Sequence, residues 1–324
     1  VISNRFVFDE DLFRWGQSNW DDAVWADDDE YLSRAQLEKY DENIIAHTKH
    51  INENRETPIK WKYFQYLELL FTEIYLDKYF SNKEDLLISL NAFRERYNKE
   101  CLEGEEISEY SENDLNKIAF WAATGSGKTL LLHMNILQIQ YYMKLHGKQK
   151  DYNRIILVTP NEGLSAQHKD EFKLSNIEAK IFDKTSLAQV GKSIQMNLLH
   201  QQSADFGIDI IDIYKLADET GDKTIAVDAF ESNNIVLVDE GHRGTSSSKD
   251  GAWVKKRNAL SKDGFCFEYS ATFGQAVVKD NDLTNEYAKC ILFDYSYKYF
   301  YEDGYGKEYQ ILNLDDDSDE DRKT

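Results

Sequence analysis

The stretch Ala122-Ala-Thr-Gly-Ser-Gly-Lys-Thr129 lies between the apolar run Ile118-Ala-Phe-Trp121 and the helix-favouring Leu130-Leu-Leu132. An apolar run, a Gly-rich turn and a helical pattern in that order aim backbone N–H groups and a helix N-terminus at one spot, which suits a polyphosphate. Gly125 and Gly127 let the chain turn tightly and approach phosphates with no side chain in the way. The turn predicts contacts from Thr124, Gly125, Ser126 and Gly127, with Lys128 reaching the outer phosphates and the Thr129 hydroxyl ligating Mg²⁺. The competing reading is a Gly-Ser-Gly turn with a chance Lys-Thr after it.

Working outward, short apolar runs alternate with helical patterns from Lys117 onward, which predicts βα units and a mainly parallel sheet. Strands are expected at Ile118 to Ala122, Arg154 to Thr159, Ala179 to Phe182, Ile208 to Tyr214, Ile235 to Val238, Phe265 to Tyr269 and Cys290 to Phe293. A helix from Lys128 to Leu145 is closed by Gly147. Upstream, the spacing of Phe64, Leu67, Leu70, Phe71, Ile74 and Tyr75 predicts a long buried helix over 59–80, and a second follows over 84–97. Residues 1 to about 56 read as an acidic, aromatic extension. The division expected is therefore an acidic and helical region over 1–116, an α/β domain over 117–310 and an acidic tail or linker over 311–324.

The second chemical signal is Ile235-Val-Leu-Val-Asp-Glu-Gly-His242, in which four apolar residues deliver two carboxylates to the end of a strand. Ligands of open α/β sheets bind beyond the carboxyl ends of the strands, so this pair is expected to face the phosphate loop. Asp239 suits Mg²⁺ coordination, commonly through water. Glu240 suits the orientation and deprotonation of an attacking water. An Asp-Glu pair alone is weak evidence, since strand ends often carry solvated acids.

Two further pieces, Thr159-Pro-Asn-Glu-Gly-Leu-Ser-Ala-Gln167 and Ser270-Ala-Thr-Phe273, also follow predicted strands. With these the set resembles motifs I, Ia, II and III of superfamily 2 DEAD/DEAH-like helicases over roughly 118–273. It looks closest to the ATPase (Res) subunit of type III restriction enzymes. Ala122, where the general phosphate-loop pattern has Gly, matches the superfamily 2 variant. The resemblance implies a P-loop NTPase with a RecA-like domain that hydrolyses ATP with Mg²⁺. It assigns Pro160, Asn161 and Gln167 to a nucleic-acid backbone, His242 to a link with a facing domain, and Ser270 and Thr272 to coupling between ATP state and strand binding. An upstream Gln preceded by aromatics reads adenine in this superfamily, and Tyr63-Phe64-Gln65 fits that pattern. A Gln on the polar side of a helix is the plain alternative.

The resemblance also implies an arginine supplied by a second RecA-like domain. No Gln-x-x-Gly-Arg-x-x-Arg-like run follows Thr272, so this chain is expected to be the N-terminal part of a larger motor. The opening Val1 in place of Met agrees with processing or with a piece of something longer. DNA is the expected nucleic acid, and nuclease or methyltransferase subunits are possible partners. The chain itself carries no Pro-Asp and Glu-x-Lys pattern of a nuclease. Competing functions are a nucleotide-binding regulatory or scaffold module without motor activity and, more remotely, a small-molecule kinase on the same loop.

Composition sets the remaining bounds. With 324 residues of which 41% are hydrophobic, the chain can bury a sizeable core. A net charge of −21 excludes nucleic-acid binding through the overall field, so any such contact must be a local patch. Cys101, Cys266 and Cys290 show no CxxC or zinc spacing, which fits a reducing cytoplasm. No run reaches the length of roughly 18 apolar residues that a membrane span needs. His47 and His50 lack further ligand candidates nearby and read as surface residues. Lys255-Lys-Arg257 reads as a solvated helix face, and the aromatic run Tyr295 to Tyr305 reads as a β-strand packed on the core.

Overall fold

The computed structural model describes residues 32–102, 106–182, 207–221, 224–240, 251–273 and 281–306, with side chains described throughout except at 251–253 and 281–284. Seven strands form one parallel sheet: β1 (Lys117–Ala122), β2 (Ile155–Thr159), β3 (Ala179–Ile181), β4 (Ile208–Asp212), β7 (Ile235–Asp239), β8 (Phe265–Ser270) and β9 (Ile291–Tyr295). Their order across the sheet is β3-β4-β2-β7-β8-β1-β9, and every neighbouring pair is parallel. This is the RecA-like α/β architecture of a P-loop NTPase. All seven expected strands are present, with ends shifted by a residue or two. The expected strand over 208–214 stops at Asp212, whose side chain accepts from Tyr214 N and turns the chain into a short 3₁₀ segment.

The strands are near-continuous apolar runs because both faces of the sheet are covered. Ile155 and Leu157 of β2 pack into one cluster with Leu237, Phe267 and Phe120. Ile156 and Val158 alternate into a second cluster with Val236, Val238 and Leu260 on the opposite face. The first face is covered by α4 (Lys128–Leu145) and by two helices from the start of the chain, α1 (Arg34–Asn52) and α2 (Tyr63–Ser81). α2 then passes through Asn82 into α3 (Lys83–Glu100). The second face receives α6 (Gly251–Ser261), and a small two-stranded sheet of β5 (Leu216–Ala217) with β6 (Ile225–Ala226) lies beside it.

Three expectations are corrected here. The stretch up to residue 56 is not wholly an acidic extension. Ser33 caps α1 in a reciprocal box with Gln36, and Leu37, Tyr40, Ile44 and Ile51 are buried at helical spacing. The acidic Trp-containing segment before it lies outside the described residues. Arg257 is not solvated: it is 1% exposed and pairs with Glu268 at 2.7 Å. The aromatic run after Tyr295 is not a strand, because Ser296 starts a short helix, α8 (Tyr297–Glu302). Alternating aromatics fit a strand by propensity, but here the run folds back so that Tyr305 packs edge-on against Phe64, whose ring also stacks on Tyr295 at 3.9 Å.

Among the described residues no helix is long and apolar enough to cross a membrane.

Candidate functional site

β1 ends at Ala122, and Ala123 N donates to Tyr295 O at 2.9 Å, so the loop leaves the sheet pinned to β9. Gly125 and Gly127 then adopt φ of +86° and +97°, the left-handed region that side chains other than Gly enter at a cost. Ser126 N closes a turn onto Ala123 O, and α4 begins at Lys128 with Gly127 as its N-cap. The first N–H groups of a helix have no partner within it and carry its positive end, so the loop is built for an anion. Lys128 Nζ lies back over the loop, donating to Ala122 O at 3.2 Å and Ala123 O at 3.3 Å.

α2 reaches the same loop. Gln65 Nε2 donates to Ser126 O at 2.7 Å, while its Oε1 accepts from Lys62 N at 2.9 Å. Both ends of the amide are thus used to fasten the loop to the start of α2. One turn further along α2, the Glu68 carboxylate is fully buried, with no hydrogen-bond partner for either oxygen among the described residues. Burial pushes its pKa up to about 8, with the charge of Lys128 opposing the rise. Phe300 of α8 closes the outer side, 3.9 Å from where a β-carbon on Gly125 would stand.

The sheet brings the remaining groups to the same edge. Register pairs Asp239 of β7 with Tyr269 of β8, and Tyr269 with Phe120 of β1. Asp239 and Ser270 therefore end their strands level with the start of the loop. Glu240 follows Asp239 at φ +58°, a left-handed conformation uncommon for a non-Gly residue and often found where a site dictates backbone shape. Asp239 Oδ2 accepts from His168 Nε2 at 3.0 Å. Trp121 Nε1 donates to Ala271 O at 3.1 Å and ties the strand before the loop to the Ser270-Ala-Thr272 segment. There Thr272 N donates to Ser270 Oγ at 3.1 Å. The donor set at this edge, the Thr129 hydroxyl and the Asp239 carboxylate, consists of oxygens of the kind Mg²⁺ takes. No group of three or more His, Cys, Asp or Glu suited to a metal occurs among the described residues.

A family model described as "Type III restriction enzyme, res subunit" matches residues 84–275, which spans the loop, the Asp-Glu pair and the Ser-Ala-Thr segment. The chain belongs to the type III restriction enzyme res subunit family. A solved structure, the Sulfolobus solfataricus SWI2/SNF2 ATPase core in complex with dsDNA, aligns at 13% identity with a TM-score of 0.33. The alignment covers 65% of this chain and 36% of that one, so the chain spans about a third of the length of the structure it matches. No curated protein matches.

In this res-subunit family member the other sequence-derived residues are placed as follows. Asn161 caps α5 (Glu162–Leu174), its Oδ1 accepting from Leu164 N at 2.9 Å; Pro160 is buried at the end of β2, and Gln167 is exposed on α5. His242 lies outside the described residues. Sequence reasoning missed His168 and Glu68. Both had a visible signal: each is a polar residue on the buried stripe of its helix, His168 between Ser165 and Phe172, and Glu68 beside Leu69.

Proposed function

We propose that the chain is the ATP-hydrolysing module of a nucleic-acid translocase or helicase, acting on DNA in a restriction or phage-defence system. The observation that supports this best is the meeting of the Lys128-Thr129 helix start with Asp239 and Glu240 at one sheet edge, tied through Trp121 to the Ser270-Ala-Thr272 segment. Membership of the res subunit family favours the same reading.

Phosphoryl transfer needs positioning and charge stabilisation more than covalent chemistry from the protein. The loop N–H groups and Lys128 bind and orient the phosphates, with Lys128 leaving the Ala122 and Ala123 carbonyls to do so. Mg²⁺, when bound through Thr129 and Asp239, supplies charge neutralisation on the phosphate oxygens. Glu240 orients the attacking water and accepts its proton. Asn161 and Gln167 follow the nucleic-acid backbone, with the buried Pro160 shaping the turn that presents them; Ser270 and Thr272 transmit the state of the site, and His242 meets a second RecA-like domain, which supplies the arginine. Gln65, held against Ser126, sits where it can sense whether the loop is filled, and adenine recognition would use its second amide hydrogen and the second lone pair of its oxygen. Nuclease or methyltransferase subunits complete the assembly, and its place is the cytoplasm.

The test is a pair of variants measured for nucleotide binding and for DNA-stimulated ATP hydrolysis. Glu240→Gln is expected to keep ATP and to lose hydrolysis by about 10²-fold or more, whereas Lys128→Ala is expected to lose binding. Hydrolysis unchanged in Glu240→Gln would remove Glu240 from the reaction, and nucleotide binding with no DNA-stimulated hydrolysis in the unaltered protein would reject the motor and leave a nucleotide-binding scaffold.

A further inference from the structure

His168 belongs to none of the motif positions, yet it makes a direct contact with Asp239. It stands on the buried face of α5, 3% exposed, between Ser165 and Phe172. Its Nε2 is 3.0 Å from Asp239 Oδ2, and an ionised carboxylate can only accept, so Nε2 carries the proton. The other oxygen of Asp239 makes no hydrogen bond among the described residues, and His168 Nδ1 is buried without a partner among them. The ring is held by packing: His168 and Phe172 lie 6.3 Å apart, and His133 of α4 stacks on Phe172 at 4.2 Å. His133 is itself fixed, its Nδ1 lying 2.8 Å from Ser175 Oγ, which also accepts from Arg55 Nη2 at 2.8 Å.

We propose that His168 is a positioning residue for Asp239, fixing one carboxylate oxygen so that the other is presented to the Mg²⁺ of the bound nucleotide. The proposal rests on the nucleotide-site reading given above. Carboxylates that ligate metals are themselves hydrogen-bonded, and those outer partners set ligand orientation and affinity. A free Asp239 side chain at a strand end would rotate between staggered positions, and each Mg²⁺ binding event would have to select one of them. The bond from α5 removes that freedom in advance. It also links the Mg²⁺ ligand to the helix that begins at Asn161, so the segment assigned to nucleic acid and the segment assigned to the metal share a side-chain contact.

The experiment uses the full 324-residue chain and a fluorescent ATP analogue, titrating Mg²⁺ at fixed nucleotide and repeating the nucleotide titration in chelator. His168→Leu is expected to raise the Mg²⁺ concentration for half-maximal binding about 10-fold or more, with metal-free nucleotide affinity unchanged. His168→Gln, whose amide can still donate to Asp239, is expected to recover most of that loss. A wild-type Mg²⁺ response in the His168→Leu variant overturns the role of His168. So does a His168→Gln variant as impaired as His168→Leu, which also covers the case in which the substitution merely disturbs packing. If nucleotide binding by the unaltered chain does not respond to Mg²⁺ at all, the nucleotide-site reading itself fails, and that outcome is distinct from the other two.

Discussion

Gly127 stands at φ +97°, and a β-carbon there would lie 2.5 Å from Gln65 Nε2. Gly127→Ala is therefore expected to weaken nucleotide binding about 10-fold or more and to destabilise the chain by about 1–2 kcal/mol. Equilibrium binding and urea denaturation would measure the two effects. Gln65→Ala in the same background removes the collision but not the backbone strain, so recovery should be partial. Glu68 supplies a pH signature. Burial lifts its carboxyl from an ordinary 4.5 to about 8, against the pull of Lys128. Across that window the folded chain holds a proton that the unfolded chain has released. Its contribution to stability is thus full below about 4.5 and is lost as pH rises through about 8. Glu68→Gln should flatten this decline, read by urea denaturation at about pH 6 and about pH 9. An unchanged slope in the variant would show that the carboxyl is not the group responsible.

Between elements, the decisive contacts are close backbone approaches and buried polar networks. Gly264 precedes β8 where the chain passes the start of β7, and a β-carbon there would lie 2.0 Å from Asn234 O. Gly264→Ala should cost about 3 kcal/mol or more, or leave the protein insoluble, because backbone rather than a mobile side chain blocks the space. Where α2 packs on α4, Glu73 accepts from Gln138 Nε2 at 2.8 Å, from Tyr142 OH at 2.6 Å and from Asn43 Nδ2 at 3.2 Å. Tyr142→Phe strips one donor from a buried acid and is expected to cost about 1–3 kcal/mol in chemical denaturation. α2 was legible as a helix because its apolar residues recur at helical spacing. That it is buried nearly all round, with Glu68 and Glu73 inside, was not, since periodicity reports one covered face and α2 has more than one. The run after Tyr295 misled for a related reason: aromatic alternation fits a strand, and only Ser296 hints at the helix that follows.

Across the sheet, two cations converge on one buried acid. Arg257 of α6 meets Glu268 of β8 at 2.7 Å, and Lys117 of β1 meets the same carboxylate at 2.7 Å, with Glu286 of α7 (Asn281–Cys290) alongside. Burial opposes the charge on Arg257, while Glu268 and Glu286 sustain it. Arg257→Met would leave Glu268 without its closest guanidinium and should cost about 3–5 kcal/mol, measured by denaturation. Adding Glu268→Leu should not restore that loss, since Lys117, held at 2.7 Å by the same carboxylate, would lose a partner in its turn. At a net charge of −21, any contact with nucleic acid requires a local patch and not a general field.

The strands, their parallel arrangement, the Gly-rich turn between β1 and α4 and the place of Asp239 at the end of β7 could all be read along the chain, because each is a local pattern in which neighbouring residues carry the physics. Alternating apolar runs and helices dictate a covered parallel sheet, and a Gly-rich turn before a helix aims backbone N–H groups at one spot, whatever the rest of the molecule does. Gln65 against Ser126, His168 against Asp239 and Glu68 near Lys128 depend instead on contacts between residues 61 and 71 positions apart or on burial from several directions. Such pairings come from the packing of α2 and α5 onto the sheet, and no periodicity along one segment encodes which polar side chain will meet another there.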